Sequence, residues 1–148
     1  MPSLGSPDYA YIALADSIYG GMFGSRLIRN IREDKGYTYS PGSNASTRRF
    51  SGMLITREDV RNEVTGASFK ETVAELNRMG SVPPSDFELA NAKRNFIGVV
   101  AISLQSHGAL ANQLSREWVQ DQPPTLLDDQ IAKIQAATAQ DIAKVGTK

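Results

Sequence analysis

The sequence of 148 residues contains no cysteine and a single histidine, His107. Without cysteine there is no disulfide framework, no thiolate nucleophile and no Cys-ligated metal. A histidine zinc motif needs two imidazoles one helical turn apart and a glutamate, which one histidine cannot supply. The sequence therefore predicts no metal site, no bound cofactor and no catalytic residue in this chain.

Other catalytic patterns are also missing. A serine triad would have to use His107, but the chain has no Gly-x-Ser-x-Gly elbow. The glycine-rich stretch Gly20–Gly24 lacks the order of glycines found in phosphate-binding loops. We interpret this stretch as a break between two helices.

An excess of charge of one sign and long apolar runs are absent as well. Sixteen basic residues balance sixteen acidic ones, so nothing draws the chain to nucleic acid or to an anionic membrane. No apolar run approaches the roughly 18 residues of a membrane span, and Met1–Ala10 does not have the form of a signal peptide. With 41% hydrophobic residues, we expect one domain over residues 1–148.

Two helices are predicted in the first part of the chain. Apolar residues recur at helical spacing from Asp8 to Met22. Ser25 can cap a shorter helix that runs through Asp34, with Gly36 in the C′ position. The predicted inner faces are Tyr11, Leu14, Ala15, Ile18 and Met22 in the first helix and Leu27, Ile28 and Ile31 in the second.

A hairpin and a third helix are predicted next. Thr38–Ala45 and Phe50–Arg57 have the composition of strands, and the polar stretch Asn44–Arg49 is predicted to connect them. A helix from Thr65 to Met79 is expected to turn Phe69, Val73 and Leu76 inward.

The rest of the chain is predicted to be helical. Ser85 and Glu88, Thr125 and Asp128, and Thr138 and Asp141 each have the spacing of a capping box. The segment 86–120, bent near His107, and the helix Leu126–Ala136 are separated by Pro123 and Pro124.

This order of elements predicts an α+β fold in which an antiparallel sheet packs against helices. Two strands form only a marginal sheet in water. We therefore expect further strands outside this chain, or a partner that completes the sheet.

One local pattern suggests ligand binding. Arg32 ends the second helix, and Tyr37 and Tyr39 follow at the start of the first strand. A guanidinium and a phenol can both hydrogen-bond a peptide. The alternative is that Arg32 forms a surface ion pair with Glu33 or Asp34 and that the tyrosines simply fill strand positions.

Residues 9–40 resemble the M16 metallopeptidase family, which includes insulin-degrading and mitochondrial processing peptidases. The resemblance continues over nearly the whole chain. It is carried by Gly20-Gly21, Ser25-Arg26-Leu27, Ile31-Arg32-Glu33, Tyr39-Ser40, Thr56-Arg57, Glu75-Leu76, Pro84, Phe87–Lys93 and Thr138–Asp141.

The resemblance implies the C-terminal, non-catalytic type of M16 domain, because the helix that begins at Asp8 has no histidine. It implies that Arg32 and Tyr39 bind peptide substrate, with Tyr37 the less favoured partner. It also implies a partner, an M16 N-terminal domain or subunit that carries zinc. Family domains have additional edge strands, so we expect the chain to be a fragment of a longer protein.

An alternative function is an M16-like scaffold or assembly protein that keeps the fold without peptidase activity. Retention of both Arg32 and Tyr39 favours the substrate-binding half. A homodimer is a further expectation, since a second copy could cover unpaired strand edges. Bacterial relatives are often exported, so we expect a periplasmic location, with the cytoplasm as the alternative.

Overall fold

The computed structural model describes residues 3–147. That part of the chain forms helices α1 (Tyr9–Asp16), α2 (Thr65–Ser81), α3 (Asp86–Ser103), α4 (His107–Val119), α5 (Leu126–Ala136) and α6 (Ala139–Gly146), a first π-helix (Ser17–Gly21), a second π-helix (Ile28–Asp34), a 3-10 turn (Asn62–Val64) and strands β1 (Gly42–Thr47) and β2 (Gly52–Arg57). None of these helices is long and apolar enough to cross a membrane.

Helix α1 lies at the centre of the fold. It contacts β1, α3, α5 and α6, and the first π-helix continues it without a break. Its predicted stripe is confirmed, because Leu14 and Ile18 are fully buried and Tyr11, Ala15 and Met22 pack against the same core. The core is completed by Ile134 of α5 and Ile142 of α6.

The second predicted helix is present, but most of it has π-helical hydrogen bonding. The Ile28 N–H donates to Ser25 Oγ over 3.4 Å, which confirms the predicted cap. Leu27, Ile28 and Ile31 are buried as predicted. Gly36 has φ +62°, the left-handed conformation expected at a C′ glycine.

Strands β1 and β2 form the predicted antiparallel hairpin, with Gly42 opposite Arg57 and Thr47 opposite Gly52. The predicted bounds are wrong by several residues, since β1 was expected over Thr38–Ala45. Pro41 has no N–H to donate, so pairing begins after it. Polar residues that suggested a turn instead pair across the hairpin, as Asn44 does with Ile55 and Ser46 with Met53.

The predicted inner face of α2 is wrong. Phe69, Val73 and Leu76 are exposed, while Ser68, Glu75 and Met79 are buried. Hydrogen bonds select this face, because Ser68 Oγ donates to Glu58 Oε2 over 2.6 Å and Glu75 Oε1 accepts from Asn30 Nδ2 over 2.8 Å. Buried polar groups with partners cost little, so the polar face of α2 can pack inward.

Two of the three predicted capping boxes are confirmed. Ser85 with Glu88 and Thr138 with Asp141 each make both reciprocal hydrogen bonds. The Thr125 side chain makes no cap hydrogen bond, so that prediction is wrong. Thr125 has helical φ and ψ angles after a turn closed by the Leu126 N–H and the Pro123 carbonyl, whereas a capping residue needs an extended backbone.

Arg26 is buried and joins three elements. Its Nε donates to Glu88 Oε1 over 2.8 Å, and both terminal nitrogens donate to the Val82 carbonyl over 3.2 Å. Glu88 also accepts the Ser85 N–H over 2.9 Å, so the same carboxylate caps α3. This arrangement connects the start of the second helical segment to the end of α2 and the start of α3.

This arrangement lowers the pKa of the Glu88 carboxyl. Burial alone would raise its pKa, but hydrogen bonds from Arg26 and from the Ser85 N–H outweigh burial and lower the pKa from 4.5 to about 2. Glu88 therefore stays ionised in the folded protein at any pH at which the unfolded chain is ionised.

We predict that acid weakens the wild-type fold more than it weakens Glu88→Gln. As pH falls from about 5 to about 2, the unfolded chain takes up the Glu88 proton first, so the wild type loses roughly 2 kcal/mol that the variant never had, a value reduced for solvent screening of this partly exposed pair. Urea unfolding of both proteins across this pH range measures the difference. If the wild type and Glu88→Gln lost the same free energy of unfolding over this pH range, the role given to Glu88 would be contradicted.

Helices α2 and α6 approach closely at two glycines. A Cβ on Gly80 would lie 2.8 Å from the Gly146 carbonyl oxygen, and a Cβ on Gly146 would lie 2.5 Å from the Met79 carbonyl oxygen. Each close contact is with backbone, which cannot move aside as a flexible side chain could. The two helices can pack at this distance only because neither residue has a side chain.

We predict that Gly80→Ala destabilises the protein although alanine favours helix formation by about 1 kcal/mol. The clash with α6 opposes this gain and forces the helices apart. Gly98→Ala in α3 is the matched control, since nothing lies within 4 Å of its added Cβ, and it should stabilise by about 0.5–1 kcal/mol. Thermal unfolding of both variants tests the contact, which is disproved if both substitutions stabilise.

Candidate functional site

The structure brings Arg32 and Tyr39 together on the surface. The Arg32 guanidinium carbon lies 4.1 Å from the centre of the Tyr39 ring and 5.2 Å from the centre of the Phe23 ring. Both rings are about three-quarters exposed, at 77% for Tyr39 and 75% for Phe23. Arg32 thus makes cation–π contacts with two aromatic side chains that come from different segments.

The second π-helix and the turn after it determine where Arg32 lies. Leu27 and Ile31 anchor this helical segment in the core, and Arg32 follows Ile31 directly. The Lys35 N–H donates to the Asn30 carbonyl, and the Tyr37 N–H donates to the Ile31 carbonyl over 2.9 Å. Short π-helical segments are rare and frequently occur at functional sites.

The two tyrosines after this turn have different environments. Tyr37 is half-buried and packs against the hydrophobic core, whereas Tyr39 is exposed beside Arg32. In extended backbone, side chains two residues apart lie on the same face, so the bends between Tyr37 and Tyr39 are needed to separate them. Of the two phenols, that of Tyr39 is the one placed next to the guanidinium.

The hydrogen-bonding groups of Arg32 are available to a ligand. Within residues 3–147, its guanidinium forms no ion pair with Glu33 or Asp34 and donates no hydrogen bond to a protein acceptor. Arg26, six residues earlier, has its donors taken by Glu88 and by backbone carbonyls. The ion-pair alternative for Arg32 is therefore not what the structure shows.

Strand β1 is fixed to α1 shortly after Tyr39. Asp16 at the end of α1 accepts the Ala45 N–H over 3.0 Å and the Ser43 hydroxyl over 2.5 Å. Burial raises the pKa of Asp16, and the hydrogen bonds from Ser43 and Ala45 oppose that rise. A Cβ on Gly20 would lie 2.9 Å from the Ser43 nitrogen, so the first π-helix also touches the strand.

Residues 3–147 do not fit a zinc site. His107 is exposed in the first turn of α4, and the part of the chain that the structure describes contains no cluster of three or more metal-ligating side chains. A catalytic zinc needs three protein ligands that converge on one point. No step of metal chemistry can therefore be assigned to these residues.

A sequence model of the peptidase M16 inactive domain matches residues 1–96. YmxG, an uncharacterized zinc protease of Bacillus subtilis strain 168, is 36% identical over 98 residues, which are 64% of this chain and 23% of that protein. An uncharacterized zinc protease of Streptomyces coelicolor is 26% identical over 147 residues, which are 98% of this chain and 32% of that protein.

A crystal structure of a peptidase M16 inactive domain from Pseudomonas fluorescens has the same fold. It superposes with a TM-score of 0.88 and 26% identity, covering 97% of this chain and 34% of that chain. The present chain therefore spans about a quarter to a third of the length of these three relatives.

Sequence reasoning missed two residues of this region. Burial was not predicted for Arg26, yet it is only 6% exposed. Phe23 was treated as part of a glycine-rich break, yet its ring covers Arg32. The signal for Phe23 was a large aromatic residue between glycines, where no helix stripe would bury it.

We predict that Arg32 and Arg26 differ sharply in their effect on stability. Arg32→Ala and Tyr39→Phe should change the free energy of unfolding by less than about 1 kcal/mol, because Tyr39 is exposed, Arg32 is only partly buried, and an exposed cation–π contact contributes about 0.5–1 kcal/mol. Arg26→Ala should cost about 1.5–3 kcal/mol, since it removes charge-assisted hydrogen bonds to the partly buried Glu88 and leaves the Val82 carbonyl without its donors. Urea denaturation at neutral pH measures all three, and a large loss in Arg32→Ala would show that Arg32 has a structural role.

Proposed function

Since the chain belongs to the peptidase M16 inactive-domain family, we propose that it is the substrate-binding, non-catalytic half of a zinc-dependent endopeptidase. In this proposal, an M16 N-terminal domain, on the same polypeptide or on a separate subunit, carries the zinc. The present chain contributes Arg32 and Tyr39, which hold the peptide.

The availability of the Arg32 donors is the observation that carries this proposal. Among residues 3–147 no group accepts a hydrogen bond from this guanidinium, which lies against an aromatic ring at the surface, so a carbonyl or carboxylate of a ligand can accept its hydrogen bonds. A peptide offers a carbonyl at every residue. The Tyr39 hydroxyl provides a second donor close to the first.

The proposed role of the pair is electrostatic. Cleavage of a peptide bond develops negative charge on the scissile carbonyl oxygen, and donors already in place stabilise that charge without reorganisation. Arg32 keeps its positive charge at any working pH. Tyr39 would donate its O–H to the same or the neighbouring carbonyl, so both residues would act on substrate while the bond is cut.

The test is a reconstitution. This chain, a zinc-bearing M16 N-terminal domain from the same genome and their mixture are each assayed with a quenched fluorescent peptide. We expect cleavage by the mixture and none by this chain alone. Arg32→Ala should lower kcat/KM of the mixture by about 100-fold and Tyr39→Phe by about ten-fold, because each removes a donor to developing charge.

Arg29→Ala is the matched control. Arg29 is an exposed arginine on the same π-helix, so this variant removes the same charge three residues away and should leave cleavage unchanged. Hydrolysis by this chain alone would show that it has a catalytic centre. A folded mixture that does not cleave, or that is indifferent to Arg32→Ala, would favour the scaffold function instead.

A further inference from the structure

The Phe23 side chain has no place in the core. It is 75% exposed, and the centre of its ring lies 5.2 Å from the Arg32 guanidinium carbon. Tyr39 approaches the same guanidinium at 4.1 Å. Two rings from separate segments therefore contact one cation whose hydrogen-bond donors no other described residue uses.

The backbone holds Phe23 in place independently of Arg32. The Ser25 N–H donates to the Met22 carbonyl over 3.1 Å, and Gly24 has φ +89°, as in a type II turn with glycine in its third position. Met22, directly before Phe23, packs against the core. The ring is thus attached to a rigid corner, although its side chain lies on the surface.

We propose that Phe23 is a positioning residue that holds the Arg32 guanidinium in the orientation in which it binds substrate. This inference rests on the proposed function of Arg32. An arginine side chain with no ion pair or hydrogen bond loses much rotamer freedom when it binds a ligand. A ring beside the guanidinium restricts that freedom beforehand. Because the cation is attracted to the face of the ring, the contact leaves the N–H donors of Arg32 available to carboxylate or carbonyl acceptors of a ligand.

Nuclear magnetic resonance on this chain tests the contact without any cleavage. The ring current of Phe23 should shift the Arg32 Nε–Hε resonance. That resonance is identified as the one that disappears from the spectrum of Arg32→Lys. Phe23→Leu should remove that shift and Phe23→Tyr should keep it. Phe50→Leu is the matched control, because Phe50 is also an exposed phenylalanine and its ring centre lies 5.2 Å from the Arg49 guanidinium carbon, so this change should move only the Arg49 resonance.

Cleavage by the reconstituted mixture tests the consequence. Phe23→Leu should lower kcat/KM about three- to five-fold, the value of an exposed cation–π contact, and Phe23→Tyr should restore it. In the Arg32→Ala background, Phe23→Leu should have no further effect, because Phe23 acts through Arg32. Phe50→Leu should leave cleavage unchanged.

The outcomes separate this inference from the proposed function. An Arg32 resonance that Phe23→Leu does not move overturns the positioning role even if Arg32→Ala abolishes cleavage. Equal losses from Phe23→Leu with and without Arg32 overturn it too, because Phe23 would then act on substrate itself. If Arg32→Ala leaves cleavage unchanged, the proposed function fails, and the substrate role of Phe23 fails with it.

Discussion

The ion pair between the buried Arg26 and the partly buried Glu88 is the interaction on which the arrangement of the other elements depends. One guanidinium reaches Glu88 and the carbonyls of Arg78 and Val82, so it fixes the end of α2 and the start of α3 to the second helical segment. Removing the Arg26 charge, and most of the Glu88 charge, from water is costly, and the cost is offset only when nearly every donor and acceptor is satisfied. Here the geometry meets that condition, and the Glu88 carboxylate also accepts the Ser85 N–H, which completes the capping box of α3.

Because Arg26 holds the second helical segment, the residues that follow it have a defined position. The segment continues from Arg26 through Ile31 in the core to Arg32 at the surface. The left-handed Gly36 then reverses the chain, and Asp16 fixes the strand that begins at Gly42. Arg32 and Tyr39 therefore lie on two sides of one reversal whose ends are both anchored, which is why residues seven apart in sequence come into contact.

The elements that sequence predicted well are those set by local chemistry. The stripe around Leu14 and the capping box at Ser85 depend on spacing within one helix, so the pattern contains the whole signal. The inner face of α2 and the burial of Arg26 depend on partners far away in sequence, Glu58 and Asn30 for α2 and Glu88 for Arg26. Composition favoured Phe69 as a core residue, and no local rule could reveal that polar contacts would turn it outward. The pair of Arg32 and Tyr39 was found through family resemblance, because a surface arginine near a tyrosine is common in any sequence.

Arg26 and Arg32 are the same type of side chain, but their two positions require opposite uses of its hydrogen-bond donors. A guanidinium that holds the fold has its donors taken and has none left for a ligand, as at Arg26. A guanidinium that must bind a ligand needs free donors, but the ion pairs and hydrogen bonds that would keep it still are the same interactions that occupy those donors. Aromatic rings resolve this conflict, because the face of a ring attracts the cation without accepting a conventional hydrogen bond. An exposed phenylalanine would be an unfavourable choice on an ordinary surface, but beside Arg32 its ring orders a cation whose donors no residue in the described part of the chain occupies.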